Sequence, residues 1–572
     1  MTKVIKVREC LHRFLAGFLS KFIGPAIIFA INVLVFLRFF YKYRYSSEYR
    51  YLYTMLGDSL CWSRGSASVL CLNCFLVLLP MCRNTLALIR AKVIGCVFRR
   101  FLDRNVWFHK ACAIGIIVST GTHIVAHVIN AKRFSVNYSL KFKDLNFASY
   151  HNQEPLELVF TSVAGLTGLL MMIVLLAMIV TSTPAVRRAS YEIFWYTHHL
   201  FVVFFLLLFV HGFGGVIKHQ VNLELHSPGC KLTKSNNISG NNSNMTWCFE
   251  DPVFKADEAQ AWKWCIVPLF IYIMERLTRT FRSLQNVDLL QVFQHSDGVV
   301  EVKMSKRNFS AAAGQYVFIK CSDVSAFEWH PFTLTKCPVS DDPSFSIHCK
   351  TLGNWTEKFT DLLLQASAEE DKKSFNCGIE NGKSFSNLTS QIKIAIDGPY
   401  GSPCMDIWSY DVSVCIATGI GVTPFAAIIN ELRTLTSVGG RHIKLKRLYF
   451  LWVCKHIESF QWFVDLLHSL HDELWESNRP DFLICNFYVT CSGSQLNDQI
   501  HKKLCDGWLL SRLHKNKPSW KAMFDRVSRE NPRTKVGVFY CGSEKVTPML
   551  KKACRRFYPT GTRLIFNREI LT

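Results

Sequence analysis

Long apolar runs fill the first half of the chain, and short alternating runs fill the second half. A helix needs about 20 consecutive apolar residues to cross a bilayer. Runs near or above that length predict six membrane spans, at about 22–40, 59–82, 106–130, 156–181, 191–211 and 262–277. The pattern changes near Leu284, where apolar and polar residues begin to alternate as they do in strands.

The second half shows two further patterns. The segments VDLLQVFQ, GVVEVKMSK, GQYVFIKC, FSIHCKT and IKIAIDG predict an all-β unit, a small barrel ending near Gly401, with 369–390 as a loop inside it. Beyond it, VSVCIAT, YFLWVC, FYVTC and VGVFYCG alternate with helical segments, which predicts a parallel α/β sheet. The expected domains are therefore a six-span helical bundle over 1–282, a β-barrel over 283–405 and an α/β domain over 406–572.

Basic residues predict which loops face the cytosol. The net charge of +23 fits a membrane protein that meets acidic lipids or phosphorylated cofactors, and no zinc-finger or basic-helix pattern points to nucleic acid. The short loop 83–104 is strongly basic and should be cytosolic; its basic residues are Arg83, Arg90, Lys92, Arg99, Arg100 and Arg104. Six spans then place both termini in the cytosol and the loops 131–155 and 218–261 outside. Basic residues around 38–50 weaken this assignment, because that loop should also lie outside.

The two larger outer loops carry features typical of an external face. Four glycosylation sequons lie in them, at Asn137, Asn237, Asn241 and Asn244. Cys230 and Cys248 flank the polar segment of the second loop and are expected to form an external disulfide. Most of the remaining cysteines, out of 22, should be reduced thiols in spans or in the cytosolic half.

Ionisable side chains inside membrane spans are costly and by default mark function. The third predicted span carries His109 and His123, and the fifth carries His198, His199 and His211. Neutral imidazoles on facing helices can hold haem iron from both sides, so two such spans predict two haems, one near each membrane face. The alternative is a set of hydrogen-bonded core histidines.

Helical spacing tests this hypothesis. His123 follows His109 by 14 positions, roughly 21 Å along a helix and within roughly 40° of the same face. His211 follows His198 by 13 positions, which matches in length but leaves the pair about 140° apart on an ideal helix. His199 is about 120° from His211, so a bend would be needed in either case. Spacing therefore supports two stacked haems but leaves His198 and His199 as alternatives.

Two arginines are candidates for the haem propionates. Arg64 lies within the second predicted span and needs a partner there, and Arg83 could act in the same way near the inner face. The alternative for each is that the side chain extends to a membrane interface.

Several motifs occur in an order that resembles one family. They are Cys71-Leu-Asn-Cys74 leading to Leu79-Pro-Met-Cys-Arg-Asn84, Phe108-His-Lys110, Trp195-Tyr-Thr-His-His199, His330-Pro-Phe-Thr-Leu334, Asp397-Gly-Pro-Tyr-Gly401, Gly419-Ile-Gly-Val-Thr-Pro424 and Tyr540-Cys-Gly542. Over nearly its whole length the chain resembles the NADPH oxidase catalytic subunits, the flavocytochrome b heavy chains, and within them the phagocyte-type group.

The resemblance implies the residues of each site. One haem would lie between His109 and His198, and the other between His123 and His211. The implied FAD site, in a ferredoxin-reductase-like barrel, comprises His330, Pro331, Phe332, Thr333, His348, Lys350, Trp355 and Thr356. The implied NADPH site comprises Gly419, Gly421, Thr423, Pro424, Lys455, Lys517, Cys541 and Gly542. Lysine at 455 and 517 keeps a charge for the 2′-phosphate but lacks the fork of arginine.

The implied activity is electron transfer from cytosolic NADPH through FAD and two b-type haems to dioxygen outside, giving superoxide. A ferric or cupric metalloreductase is one alternative. A scaffold or proton-pathway protein is another, suggested by Thr418, which could crowd the glycine turn, and by Leu571, which replaces an expected flavin-shielding phenylalanine. The family also implies a small membrane subunit, cytosolic organiser and activator subunits and a Rac-type GTPase as partners, with the plasma membrane as the expected location.

Overall fold

The computed structural model describes residues 2–92, 99, 102–232, 247–248, 250–376, 392–438, 444–491, 507–556 and 558–569. The chain divides into two compact units. The helical unit comprises Phe14–Cys82 and Asn105–Ile273, and the sheet unit comprises Met1–Arg13, Arg83–Arg104 and Met274–Thr572. The basic loop predicted to join two spans therefore belongs to the sheet unit.

Helices dominate the first half of the chain. Their bounds are α1 Thr2–Tyr45, α2 Arg50–Leu56, α3 Asp58–Leu78, α4 Arg83–Lys92, α5 Asn105–Val136, α6 Pro155–Thr161, α7 Val163–Thr181, α8 Pro184–Ala189, α9 Tyr191–His198, α10 Phe201–His211 and α11 Ala261–Ser283. Among the described residues, five segments are long and apolar enough to cross a membrane: Gly24–Tyr45, Asp58–Met81, Asn105–Val136, Val163–Thr181 and Tyr191–His211.

The fourth, fifth and sixth predicted spans differ in detail from the structure, and the fifth is divided between His198 and Phe201. The fourth is divided into α6 and α7 at Ser162, whose hydroxyl accepts a hydrogen bond from the Gly165 backbone N–H and so caps α7. The sixth falls on α11, which carries Lys263, Glu275 and Arg276 and is not among the five apolar segments. The segment is helical as predicted, but its charged residues make α11 less apolar than the five spanning segments.

The spanning helices expose apolar side chains. Val125 on α5 is 61% exposed, and Leu176 on α7 and Leu206 on α10 are each 60% exposed. Apolar surface of this extent on several helices suits contact with lipid rather than water. The chain is therefore a multi-pass membrane protein.

Short strands and a disulfide organise the loop after α10. The strands are β1 Lys218–Gln220, β2 Lys231–Leu232, β3 Trp247–Cys248 and β4 Phe254–Ala256, with β1 antiparallel to β4. A disulfide joins Cys230 and Cys248, the pair suggested by the sequence. Asp257, just after β4, accepts hydrogen bonds from the hydroxyls of Tyr43 and Tyr49.

The first part of the sheet unit is a six-stranded antiparallel sheet, in the order β10-β7-β8-β9-β6-β5. Its strands are β5 Val287–His295, β6 Val299–Lys306, β7 Tyr316–Cys321, β8 His330–Lys336, β9 Ser344–Lys350 and β10 Ile394–Tyr400. Val302, Leu334, Phe345 and Ile347 are fully buried inside it. The predicted all-β unit is present.

One expectation within this part was wrong. Helix α12, Asn354–Asn376, includes the first residues of the segment 369–390 that the sequence assigns to a loop. Polar residues in this stretch suit the exposed face of an amphipathic helix as well as a loop, so composition alone misled the prediction. Residues 377–391 lie outside the described part of the chain.

The second part of the sheet unit is a parallel sheet in the order β14-β13-β12-β11-β15-β16. Its strands are β11 Val412–Thr418, β12 Arg447–Cys454, β13 Leu483–Val489, β14 Leu513–His514, β15 Lys535–Cys541 and β16 Arg563–Arg568. The helices between them are α13 Thr423–Val438, α14 Val464–Glu476, α15 Gly507–Leu510, α16 Trp520–Glu530 and α17 Thr547–Cys554. This is the predicted α/β architecture, and ligands of such sheets bind at the carboxyl ends of the strands.

Candidate functional site

Four histidines form two pairs inside the helical unit. The imidazole centroids of His109 and His198 are 6.1 Å apart, and those of His123 and His211 are 6.3 Å apart. Two imidazoles on opposite sides of one metal atom have centroids roughly 6 Å apart, because each centroid lies about 3 Å from the metal it ligates. The two pairs therefore leave room for one metal atom each.

The other ring nitrogen of each histidine already has a neighbour. The Nδ1 atoms of His109 and His123 lie 2.9 Å from the Val77 carbonyl and 3.1 Å from the Ser63 carbonyl. The Nδ1 of His211 lies 3.0 Å from the Thr167 hydroxyl, and the Nδ1 of His198 lies 3.5 Å from the Ser182 hydroxyl. Metal-ligating histidines characteristically donate their second N–H in this way, which leaves Nε2 for the metal. The residues present fit two bis-histidine haems.

A break in the helix resolves the angular misfit seen in the sequence. The predicted span divides into α9, which ends at His198, and α10, which begins at Phe201. The His199 side chain contacts Trp195 instead. Its Nδ1 lies 2.7 Å from the Trp195 carbonyl, and its ring packs on the Trp195 indole at 4.1 Å. Geometry thus favours His198 over His199 as the partner of His109.

The two arginines proposed for propionates have different surroundings. The Arg64 guanidinium lies 5.2 Å from the Tyr43 ring, and its buried Nε has no hydrogen-bond partner within the described residues. An unpaired guanidinium N–H inside a span suits an anionic group such as a propionate. Arg83 belongs to the sheet unit, where its guanidinium stacks 4.3 Å from the Phe318 ring.

An aromatic stack marks the predicted flavin region. The His330 ring lies 4.1 Å from the Trp355 indole at an interplanar angle of 22°, and Trp355 continues the stack onto Phe359 at 4.8 Å. Phe332 lies 6.2 Å from Trp355 on the same side. The buried Trp355 Nε1 has no hydrogen-bond partner among the described residues. The half-buried rings of His330 and Phe332, together with the unpaired Trp355 N–H, fit a flavin nucleotide.

The remaining flavin candidates are held in separate contacts. The buried Thr333 hydroxyl donates to the Thr423 hydroxyl at the start of α13, and the Thr356 hydroxyl accepts from the Gly353 backbone N–H. Pro331 lies beside Thr333 on β8, opposite Phe318 in the register. Lys350 forms an ion pair with Asp297, with Nζ 2.7 Å from the carboxylate.

His348 is the most enclosed of the flavin candidates. It is 6% exposed and its Nδ1 lies 3.0 Å from the Thr335 hydroxyl. Burial lowers the pKa of His348 to about 4, so its ring is neutral near pH 7. Its ring packs against His295 and Phe463 rather than lying open at the surface.

The predicted glycine turn lies between β11 and α13. Gly419 has a φ of 54°, in the left-handed region that favours glycine, and a Cβ built there would meet nothing within 4 Å. A Cβ on Gly421 would instead overlap the carbonyl of Cys541. The Trp452 indole donates to the Gly419 carbonyl at 3.0 Å and so fixes the turn. Open space beside the first residues of a helix is suited to a phosphate.

The other nucleotide candidates meet at the same edge of the sheet or remain exposed. Thr423 and Pro424 are the first two residues of α13, while Cys541 ends β15 and Gly542 follows it. Burial raises the pKa of Cys541, so its thiol stays protonated. Lys455 directly follows β12, and both it and Lys517 are exposed.

Sequence reasoning missed an ion-pair network around the basic loop. Arg90 lies 3.0 Å from Asp103 and 3.2 Å from Asp406, and Arg99 lies 2.7 Å from Asp406. Arg90 also donates to the Ser402 carbonyl at 2.9 Å and is 8% exposed. These arginines hold the loop to Ser402 and Asp406, in the segment that joins the two sheets of the sheet unit. The basic character of the loop was visible in the sequence, but Asp406, 316 positions from Arg90, carried no local signal.

Glu569 is a second missed residue. It follows β16, is 4% exposed, and lies within reach of Ser402 and Cys404. Burial raises the pKa of its carboxyl to about 7. A buried carboxyl near a neutral pKa is the kind of group that concentrates at functional sites.

The candidates in the predicted outer loops are partly described. Asn137 is exposed, and its Nδ2 donates to the Met55 carbonyl at 2.6 Å. The sequons at Asn237, Asn241 and Asn244 lie outside the described residues, as does Leu571.

Two histidine pairs inside membrane helices, followed by a flavin-type barrel and a nucleotide-type parallel sheet, define a membrane-bound oxidoreductase. Family profiles agree in each part. Residues 64–209 match the ferric reductase like transmembrane component, 284–404 an FAD-binding domain, and 410–555 the ferric reductase NAD binding domain.

Relatives cover nearly the whole chain. The chain is 42% identical to NADPH oxidase 4 of Homo sapiens over 570 residues, which is 94% of this chain and 96% of the relative. It is 34% identical to NADPH oxidase 3 of Homo sapiens over 571 residues, with the same coverage. The chain belongs to the NADPH oxidase family.

A solved structure, flavohemoglobin from Malassezia yamatoensis with bound FAD and heme, also matches. It covers 88% of this chain and 97% of its own at 13% identity, with a TM-score of 0.34. A score this low adds nothing to the family assignment.

Proposed function

We propose that this chain transfers electrons across a membrane from NADPH to dioxygen and releases superoxide on the outer face. The observation that carries the proposal is the pairing of four histidines inside the membrane helices, at centroid distances of 6.1 and 6.3 Å. Every Nδ1 in these pairs lies beside an oxygen. FAD and two b-type haems, when bound, supply the redox chemistry between the two substrates.

His109 and His198 would hold one haem, and His123 and His211 the other. Along α5 the two ligand positions are roughly 21 Å apart, which divides the passage across the hydrocarbon into shorter distances. Each haem, held by two histidines, would supply one-electron transfer, and dioxygen would receive its electron without binding to the protein-held iron. Arg64, with its unpaired Nε, would bind a propionate. The same role for Arg83 has less support, because Arg83 stacks on Phe318.

The flavin would be held by His330, Pro331, Phe332, Thr333, His348, Lys350, Trp355 and Thr356. The stack of His330 on Trp355 offers an aromatic surface, and Lys350 offers a positive charge for the diphosphate. Thr333 would position the flavin beside the nucleotide domain, since its hydroxyl already contacts Thr423.

NADPH would lie at the carboxyl ends of β11 and β15, on Gly419, Gly421, Thr423, Pro424, Cys541 and Gly542. The open turn at Gly419 and the helix start at Thr423 suit the diphosphate. Exposed Lys455 and Lys517 would attract the 2′-phosphate. Cys541, kept as a thiol by burial, would border the nicotinamide.

The proposed domains are 1–282 for the haem-binding spans, 283–405 for FAD and 406–572 for NADPH. We place both termini in the cytosol and the chain in the plasma membrane. Supporting features are the basic loop 83–104, the sequon at exposed Asn137 and the disulfide between Cys230 and Cys248. Asn137, Asn237, Asn241 and Asn244 would then be glycosylated.

The proposed partners are a small membrane subunit, cytosolic organiser and activator subunits and a Rac-type GTPase. The basic loop is a smaller docking surface than its sequence suggests, because Arg90 and Arg99 already bind Asp406. Lys92 of α4 is exposed and remains accessible.

The test uses full-length protein in sealed proteoliposomes, with NADPH on the side of the sheet unit and a superoxide probe on the other. A signal that superoxide dismutase abolishes is expected from wild type and from the control His151→Ala, which removes an exposed histidine. His123→Ala should abolish it. A dismutase-resistant signal that requires ferric or cupric ion would establish a metalloreductase instead. Haem-loaded protein without NADPH-dependent flavin reduction would favour the scaffold role.

A further inference from the structure

Two histidines and a glutamate converge on one face of the antiparallel sheet. His295 ends β5, Glu301 lies on β6 and His348 lies on β9. Glu301 is directly opposite His348 in the register, and opposite Phe293, two positions before His295. Because side chains alternate faces along a strand, His295, Glu301 and His348 share one face.

Their ligand atoms lie at distances close to those of a metal site. His295 Nε2 is 3.3 Å from Glu301 Oε2, and His348 Nε2 is 3.7 Å from the same oxygen. All three atoms lie within 4.8 Å of one another. In a tetrahedral site with bonds of about 2.1 Å, ligand atoms are roughly 3.4 Å apart. A small side-chain rotation would bring the three atoms onto one ion.

The hydrogen bonding of His348 independently points to a ligand. Its Nε2 is buried and has no hydrogen-bond partner among the described residues, which is costly for an enclosed imidazole nitrogen. Its Nδ1 lies 3.0 Å from the Thr335 hydroxyl. If Nδ1–H donates to that hydroxyl, the Nε2 lone pair points towards Glu301, the tautomer that metal-ligating histidines adopt.

Glu301 also has a neighbouring hydroxyl, and the three-residue cluster is open to solvent on one side. The Ser346 hydroxyl lies within hydrogen-bonding reach of the Glu301 carboxylate. The side chains of His295 and Glu301 are 24% and 25% exposed, so an ion can reach them from solvent. His348 is closed from behind by Phe463, whose ring lies 4.5 Å away.

We propose that His295, Glu301 and His348 form a site for a divalent transition-metal ion of the Zn²⁺ class. Two imidazoles and a carboxylate suit this class, and a fourth position would remain for water. The ion would link β5, β6 and β9, three neighbouring strands of the barrel. The proposal does not depend on haem or NADPH, and two of its three ligands lie outside the proposed flavin site.

The experiment measures zinc bound by the full-length, detergent-solubilised protein. Wild type, Glu301→Gln and His295→Gln are treated with chelator, titrated with Zn²⁺ alone and analysed for zinc per chain. The matched control is His468→Gln, which removes another histidine–carboxylate pair, with His468 3.5 Å from Asp472 on α14. Flavin and haem content verify that each protein is folded.

Wild type and His468→Gln should each bind one more zinc ion per chain with high affinity than Glu301→Gln and His295→Gln. In those two variants the affinity for that ion should fall at least tenfold. Zinc should also raise the melting temperature of wild type and of His468→Gln, but not of His295→Gln. Equal zinc binding and an equal melting shift in all folded proteins would overturn the proposal. If Glu301→Gln fails to retain flavin, the zinc binding of His295→Gln is the deciding result, because the partly exposed His295 can be replaced with less disturbance of the fold.

Discussion

The Thr418 hydroxyl accepts a hydrogen bond from the backbone N–H of Ser543 at 2.9 Å. Thr418 ends β11 and Ser543 follows β15, so this bond joins the two loops that border the proposed nicotinamide site. From the sequence, Thr418 was expected to crowd the glycine turn. The structure instead places its side chain against Gly542, where a Cβ would overlap the Thr418 hydroxyl. The larger residue at 418 is accommodated because residue 542 is glycine.

Gly542→Ala should therefore disrupt the nucleotide site. Gly542 has a φ of 140°, which an alanine rarely adopts, and the added methyl would displace Thr418. Strain of this kind costs about 1–3 kcal/mol, and we expect the KM for NADPH to rise at least tenfold. The KM is obtained from the dependence of the flavin-reduction rate on NADPH concentration. Gly507→Ala is the control, because a Cβ there meets nothing within 4 Å. An unchanged KM in Gly542→Ala would contradict the proposed nucleotide position.

Substitutions at two adjacent histidines should separate a haem ligand from its neighbour. His198→Ala should lower bound haem from two per chain to one, because it leaves His109 without its partner. His199→Ala should retain both haems, since its imidazole packs on Trp195. Reduced-minus-oxidised spectra with haem quantified per chain distinguish the two variants. Loss of haem from His199→Ala alone would reverse the ligand assignment.

The helical break explains why spacing alone could not choose between these histidines. The apolar run and the positions of His109 and His123 were sufficient to predict spans and a haem-binding pattern. The segment YTHHLFVV contains no proline or glycine, so nothing local indicated that the helix stops at His198 and restarts at Phe201. The misfit of about 140° was itself the signal that an ideal helix could not continue.

Long-range pairs were the part of the site that the sequence could not supply. The local pattern of apolar and polar residues predicted both sheets, by alternation within strands for the barrel and by apolar strands that alternate with helical segments for the parallel sheet. It did not predict that Arg90 meets Asp406, or that His295 meets Glu301 and His348. Such contacts depend on which strands and loops become neighbours, and no local pattern records that.

Removing Arg279 should strongly destabilise the sheet unit. Its Nε lies 2.6 Å from Asp397, a carboxylate with no exposed surface that also accepts from the Tyr400 hydroxyl at 2.7 Å. Arg279→Ala would leave this carboxylate buried without its closest charge partner, at a cost of about 3–5 kcal/mol. Thermal melts followed by flavin fluorescence should show a loss of several degrees.

The exposed pair of Arg433 and Glu473 provides the control for this variant. The two side chains are 47% and 31% exposed, so Arg433→Ala should cost at most about 1 kcal/mol. Equal melting temperatures for Arg279→Ala and Arg433→Ala would show that burial of Asp397 does not govern the stability of this region.

Stability should depend on pH through Glu569. Burial raises the pKa of its carboxyl to about 7 in the folded chain, against an ordinary value of 4.5. Between these values the folded state binds more protons than the unfolded state, so stability falls as pH rises from about 4.5 to 7 and then levels off. A shift of this size corresponds to roughly 3 kcal/mol. Glu569→Gln, which cannot ionise, should lose this dependence.

Melting temperatures of wild type and Glu569→Gln should therefore diverge between pH 5 and pH 7, with the variant relatively more stable at the higher pH. Glu476→Gln, which changes an exposed carboxylate at the end of α14, should follow wild type throughout. At low pH Glu569 should be protonated in the folded chain, because the carboxyl is buried and its Oε2 has no hydrogen-bond partner among the described residues. Parallel pH profiles for wild type and Glu569→Gln would show that this carboxyl titrates normally, and that Ser402 and Cys404 stabilise its charged form despite burial.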